Sequence, residues 1–230
     1  MGIGLKSLAF YQWGFGKKMP SLKASELFGN KNTPVQFHAQ FLVSGGLQPS
    51  EAVYLMTLAS LLRCSDVFEI GTCSGMTAYN LASNIPGTVH TLDLPAENLS
   101  PVLPIEPGDK SFWGTKDEDR HWIGKKGADR IIPLRGDSAT FNFFPYYKKM
   151  DLVFVDGAHS YEYVKKDSQT ALSLIKDDGA IVWHDYAPAW SGVIKALNEL
   201  STSINLFHLT GTPFVMHLTA PALAKLHANR

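Results

Sequence analysis

The sequence predicts an α/β fold: one mostly parallel sheet, helices on both faces, and an antiparallel hairpin at the C-terminal end. Three observations predict it. Short apolar, β-prone runs alternate with segments of helical period along the chain. The run Val67-Phe68-Glu69-Ile70 leads into the turn Gly71-Thr72-Cys73-Ser74-Gly75 and then a helix-forming stretch, and strand–glycine turn–helix units of this kind hold nucleotides at the carboxyl ends of parallel strands. An acid also stands at, or one residue from, the end of five predicted strands or in the turn behind it: Glu69, Asp93, Asp137, Asp156 and Asp185.

Composition bounds the answer. At 230 residues, 45% hydrophobic and 18% charged, the chain suits one substantial globular domain. Formal net charge is zero, so nothing in the overall field favours nucleic acid or an anionic membrane as partner. No apolar stretch approaches membrane-spanning length. The first residues carry neither a signal-peptide core nor a myristoylation pattern, since Lys6 stands where Ser or Thr is needed. Two cysteines, Cys64 and Cys73, make no disulfide framework, and the expected location is the cytoplasm. The division expected is an N-terminal cap at 1–48, the main domain at 49–219 with an insertion at 95–129, and a tail at 220–230.

The elements follow in order. Residues 1–48 are aromatic and glycine-spotted, as in Phe10-Tyr11-Gln12-Trp13-Gly14, and read as short helices and loops over the core. Ser50 reads as an N-cap with Glu51 in the first turn, opening a helix that delivers the chain to a first strand at 66–70. A helix from 76 to 84 is stopped by Ile85-Pro86-Gly87. A second strand at 88–92 ends in Asp93 and completes a right-handed βαβ unit. About 20 residues beyond the glycines, an acid in that place accepts hydrogen bonds from a ribose diol; a turn or cap aspartate is the plainer alternative.

Residues 95–129, with four prolines, Trp113, Trp122 and the run Lys116-Asp117-Glu118-Asp119-Arg120, interrupt the rhythm. A loop this long is functional or disordered in most compact domains. A lid facing the substrate is the first reading, and a surface excursion with its tryptophans tucked onto the core is the second. A third strand at 130–134 leads to Gly136-Asp137-Ser138, and an apolar fourth at 151–155, of the kind covered on both faces, ends in Asp156-Gly157-Ala158-His159. A helix at 161–175, a break at Asp177-Asp178-Gly179, a fifth strand at 180–183 ending in His184-Asp185-Tyr186, a helix at 192–200 and a hairpin at 205–209 and 213–218 complete the pattern. In an open parallel sheet the strand ends share one edge, so the acids converge on one crevice and require a cation there.

The turn itself is Glu-x-Gly-x-x-x-Gly. It meets neither the dinucleotide fingerprint nor the phosphate-loop pattern, and resembles the first motif of class I S-adenosylmethionine (SAM) methyltransferases. Val155-Asp156-Gly157-Ala158-His159-Ser160-Tyr161-Glu162, followed by Gly179-Ala180-Ile181-Val182-Trp183-His184-Asp185, is similar to the motifs of methyltransferase family 24, relatives of the caffeoyl-CoA and catechol O-methyltransferases. The resemblance spans 48–218 and implies a Rossmann-like class I fold with a seven-stranded sheet. It implies SAM as cofactor: Glu69, Gly71, Thr72, Ser74, Gly75 and Asp156 around the amino-acid part, Asp93 on the ribose, Asp137 and Ser138 at the adenine.

Asp156 and Asp185 match two of three side-chain metal ligands of the catechol-type enzymes, which makes Mg²⁺ a candidate. The third ligand, an Asn there, is Tyr186 here, and phenol is a poor ligand for a hard cation. The catalytic Lys of those enzymes corresponds to His159. His159 is therefore the first candidate base and His184 the second, with Asp156 orienting the acceptor. A helix-capping role for His159 and a hydrogen bond behind the sheet for His184 stay open. The activity implied is O-methylation of a small molecule. Kept beside it are a SAM-fold protein like the cephalosporin-hydroxylase group and a nicotinamide-dependent oxidoreductase, since Asp93 suits either ribose. The acceptor is not identified, and the oligomeric state, a homo-oligomer included, stays open.

Overall fold

Among the described residues eight strands make one sheet: β1 (Ser21–Leu22), β2 (Asp66–Ile70), β3 (Thr88–Asp93), β4 (Ile131–Arg135), β5 (Met150–Val155), β6 (Ile175–Trp183), β7 (Phe207–Leu209) and β8 (Val215–Leu218). The structure, a computed structural model, describes residues 19–29, 33–38, 45–97 and 100–228; the aromatic run at 10–16, with Trp13, lies outside them. The strand order is β1-β7-β8-β6-β5-β2-β3-β4. β8 alone runs against its neighbours β6 and β7, and every other pairing is parallel. This is the α/β fold expected, with one strand more than seven: the two-residue β1 pairs with β7, too short a segment to show a period of its own.

Helices α1 (Ala24–Phe28), α2 (Pro49–Leu61), α3 (Met76–Asn84), α4 (Tyr161–Leu174), α5 (Ser191–Leu200) and α6 (Ala220–Ala228) cover the sheet. Successive strand residues face opposite sides, and the two cores separate accordingly. Val67, Leu152, Phe154 and Val182 pack with α1, α2, α3 and α6, while Phe68, Ile70, Val153, Val155 and Trp183 pack with α4 and α5. Burial on both faces is what makes the central strands read as continuous apolar runs.

Two local expectations change. Gln48, not Ser50, caps α2, because Pro49 takes the first helical position, where its missing N–H has no partner to lose. No break follows α4. Residues 177–179 lie within β6, whose pairing with β5 shifts register between Met150 and Leu152. The tail is the helix α6, held by buried Ala222 and Leu226.

Register aligns the strand ends. Ile70 lies opposite Leu92 and Val155, Val155 opposite Trp183, and Leu92 opposite Leu134. The residues that follow therefore emerge along a single edge. The insertion folds back towards that edge through three short 3₁₀ turns, at Pro107–Phe112, Asp117–Asp119 and Ala128–Arg130. No helix among the described residues is long and apolar enough to cross a membrane. Phe154 is fully buried at the sheet centre, edge-on to Phe214. Phe154→Ala is expected to lower the free energy of unfolding by about 3–5 kcal/mol in urea denaturation.

Candidate active site

The site starts from backbone geometry at the end of β2. Gly71 has φ +96°, and a Cβ there would meet the Asp156 carbonyl oxygen at 2.0 Å, so only glycine lets the two loops lie this close. The Gly71 N–H donates to the Leu92 carbonyl (2.9 Å) and the Asp156 N–H to that of Ile70 (2.8 Å). Three strand ends are thereby stitched together. Gly75, φ +78°, opens α3, and the ring of Trp122 from the insertion lies against it.

Beyond β5 and β6 the acids and histidines form one chain of contacts. His159 Nδ1 meets Asp109 Oδ1 at 2.5 Å and its Nε2 meets Asp185 Oδ2 at 2.8 Å. His184 Nδ1 lies 2.9 Å from Asp156 Oδ1 and 3.1 Å from Asp185 Oδ2, and its Nε2 lies 3.3 Å from Glu51 Oε2. Trp190 stacks on the His159 ring, 3.8 Å between centroids and 12° from parallel. Burial alone would push both histidines towards the neutral form. The carboxylates outweigh it, raising His159 to about 9 through its hydrogen bonds to Asp109 and Asp185, and His184 well above its ordinary value. Asp185, which burial would raise, is held low by the two imidazolium rings.

The other half of the edge is held by the insertion. Asp93 Oδ2 accepts from Arg120 Nη2 at 2.8 Å. Asp137 accepts from the Tyr163 hydroxyl (2.7 Å), the Val102 N–H (2.8 Å) and the Ala139 N–H (2.7 Å). Two hollows open here. One of about 90 Å³ is lined by Asp93, Asp137, Ser138 and Tyr163; the other, about 420 Å³, by Glu51, Thr72, Ser74, His184, Asp185 and Trp190. Gly71, Cys73, Phe112, Asp156, Gly157 and His159 border both.

Most of the expected site residues come together, and two do not. Glu69 lies on the α2–α3 side of β2 with Val67, as strand alternation requires. It is 1% exposed, its carboxylate accepts from the Thr91 hydroxyl, and burial pushes it well up. Thr91 in turn meets the Thr72 hydroxyl (2.7 Å). Glu69 thus supports the glycine turn from below and lines neither hollow. Gly75 is covered by Trp122. Carboxylates at both nitrogens of His159 and of His184 favour the imidazolium form, which has no lone pair for a proton. Asp109, Arg120 and the long reach of Glu51 were not foreseen. Asp109 meets a ring 50 positions away, and no spacing rule reports that.

A family described as "Methyltransferase domain", methyltransferase family 24, matches residues 68–186, just over half of the chain. The chain belongs to this methyltransferase family. No curated protein matches it by sequence. Among solved structures it is similar to the O-methyltransferase TomG from Streptomyces achromogenes in complex with SAM: 18% identity, 76% of this chain and 82% of that one, TM-score 0.55. It is also similar to an O-methyltransferase from Bacillus cereus in complex with SAH, at 16% identity over 76% and 82% with TM-score 0.52. A third is SAH-bound PaMTH1 from Podospora anserina, at 16% over 76% and 80% with TM-score 0.55. At these identities the likeness is one of fold.

In this methyltransferase Asp156, His184 and Asp185 each bring one donor atom within 4.8 Å of the others. Mg²⁺ prefers an octahedral shell of oxygens, and here an imidazole nitrogen already touches both carboxylates. Tyr186, in the place of the third ligand, is buried with its hydroxyl donating to Asn198 (2.8 Å). The set does not fit the all-oxygen shell of Mg²⁺, and the carboxylates beside His184 raise its pKa, favouring a positive charge between Asp156 and Asp185. The pH dependence follows from His159. Its pKa is raised on folding, so its stabilisation is complete below its unfolded value and lost as pH rises through about 9. Between about pH 7 and about pH 10 the wild-type melting temperature is expected to fall more steeply than that of His159→Gln in differential scanning calorimetry.

Proposed function

We propose that this methyltransferase moves the methyl group of SAM to a hydroxyl of a small molecule. The observation that carries the reading is the pair of hollows meeting at Gly71, Asp156, Gly157 and His159. The smaller hollow, which at about 90 Å³ must open to admit an adenosine, offers it Asp93 for the ribose diol and Asp137 and Ser138 for the base. The amino-acid end would lie along Gly71, Thr72 and Ser74. The sulfonium then stands at the shared wall, near Asp156, where negative charge favours it. The larger hollow takes the acceptor.

Transfer is an in-line displacement: the acceptor oxygen bonds to the methyl carbon as the carbon–sulfur bond breaks, leaving S-adenosylhomocysteine. Alignment is the main thing the protein supplies. The hydroxyl proton must leave, and with both histidines protonated the acceptor-side carboxylates are the available bases. Asp156 borders both hollows and takes that role. His184 holds it from one side by the 2.9 Å contact, and the Trp190-stacked His159 holds Asp185 beside it. The three carboxylates lining the larger hollow, Glu51, Asp156 and Asp185, favour a neutral or cationic acceptor over an anionic one.

Isothermal titration separates the cofactors. Wild-type protein is expected to bind S-adenosylhomocysteine and not NAD⁺; binding of NAD⁺ alone would end the reading. Because an imidazolium stands where a cation would, EDTA is expected to leave that affinity unchanged, and a loss on chelation restored by Mg²⁺ would contradict the charge assignment.

A further inference from the structure

Arg120 is the most completely buried charged side chain contributed by the insertion, 1% exposed, and it pairs with Asp93, which lines the smaller hollow. Its Nη2 donates to Asp93 Oδ2 at 2.8 Å. The placement is built in on both sides: the His121 N–H donates to the Ser74 carbonyl at 2.9 Å, and Trp122 covers Gly75. Residues 120–122 are therefore pinned along the glycine turn. We propose that Arg120 is the positioning residue for Asp93, so that the insertion belongs to the cofactor site and not only to a substrate-facing lid. The inference rests on the reading of Asp93 as the ribose acid.

The contacts of Asp93 support that role. Besides Arg120 at Oδ2, the Leu94 N–H donates to Oδ1 at 3.1 Å. A carboxylate offers about four lone-pair sites, so one on each oxygen is left, the pair of acceptors that a diol requires. The guanidinium itself is only partly satisfied. Nε and Nη1 have no hydrogen-bond partner, and Asp117 Oδ1 stands 3.8 Å from Nε. A buried guanidinium with vacant nitrogens is costly as a purely structural element.

Charge follows from the same geometry. Burial pushes the Asp93 carboxyl up, and Arg120, then Arg135 from β4, oppose it. Glu69 and the Cys73 thiol, from β2 and its turn, also feel Asp93. Arg135 is itself paired with Asp117. Removing Arg120 therefore leaves a buried carboxyl with one shared cation, and it would take up a proton closer to neutrality and forfeit an acceptor.

The test is isothermal titration of S-adenosylhomocysteine into wild type, Arg120→Ala, Arg120→Lys, Asp93→Asn and Asp93→Asn/Arg120→Met. Wild-type binding comes first: failure there sinks the SAM reading itself. Given that binding, Arg120→Ala is expected to lose at least about tenfold in affinity near pH 6 and to recover most of it near pH 8.5, with Arg120→Lys close to wild type at both. Unchanged affinity in Arg120→Ala, or a loss equal at the two pH values, would overturn the inference. Should Arg120→Ala fail to fold, the double variant, which leaves no unpaired buried charge, decides. It is expected to bind no worse than Asp93→Asn, because Arg120 acts through Asp93, and additive losses would overturn the inference.

Discussion

Negative charge gathered at one edge of a parallel sheet is the constraint on which the rest of the structure depends. Aligned strand ends bring Asp93, Asp137, Asp156 and Asp185 within one site, and Asp109 and Glu51 add to them from outside the sheet. Carboxylates crowded in a part-buried crevice repel strongly. Each is answered by a buried positive or hydrogen-bonding group. His159 stands between Asp109 and Asp185, His184 between Asp156 and Glu51, Arg120 beside Asp93, and Tyr163 on Asp137. Protonated, the imidazoles are counter-ions to the carboxylates they meet.

The insertion completes this balance from one side. It supplies Asp109 to His159 and Arg120 to Asp93, and it seats Trp122 on the glycine that opens α3. Its prolines and 3₁₀ turns replace regular structure, and its fixed points are ionic and aromatic contacts with the sheet edge.

Much of the fold was legible from residues, because the central strands are short, apolar and punctuated by glycine. The strand at 66–70 and the helix at 76–84 have the bounds expected. Where the reading failed, a competing local term won: Pro49 displaced the cap at Ser50, and β6 absorbed an Asp-Asp-Gly run that reads as a turn. Site chemistry was legible only where it sits on strand ends. The acids were placed by topology, but Glu69 is one residue early, and period two turns it to the opposite face. Protonation of His159 depends on Asp109, brought near by tertiary folding alone, so no spacing in the sequence reports it.

The central claim is that this acidic edge grips an adenosine-bearing sulfonium. A crystal structure of the protein with S-adenosylhomocysteine tests it most directly. The account predicts ribose hydroxyls on Asp93, the adenine beside Ser138 and the sulfur facing Asp156 across from the larger hollow. A ligand bound away from the strand ends, or one whose sulfur points away from that hollow, would contradict it.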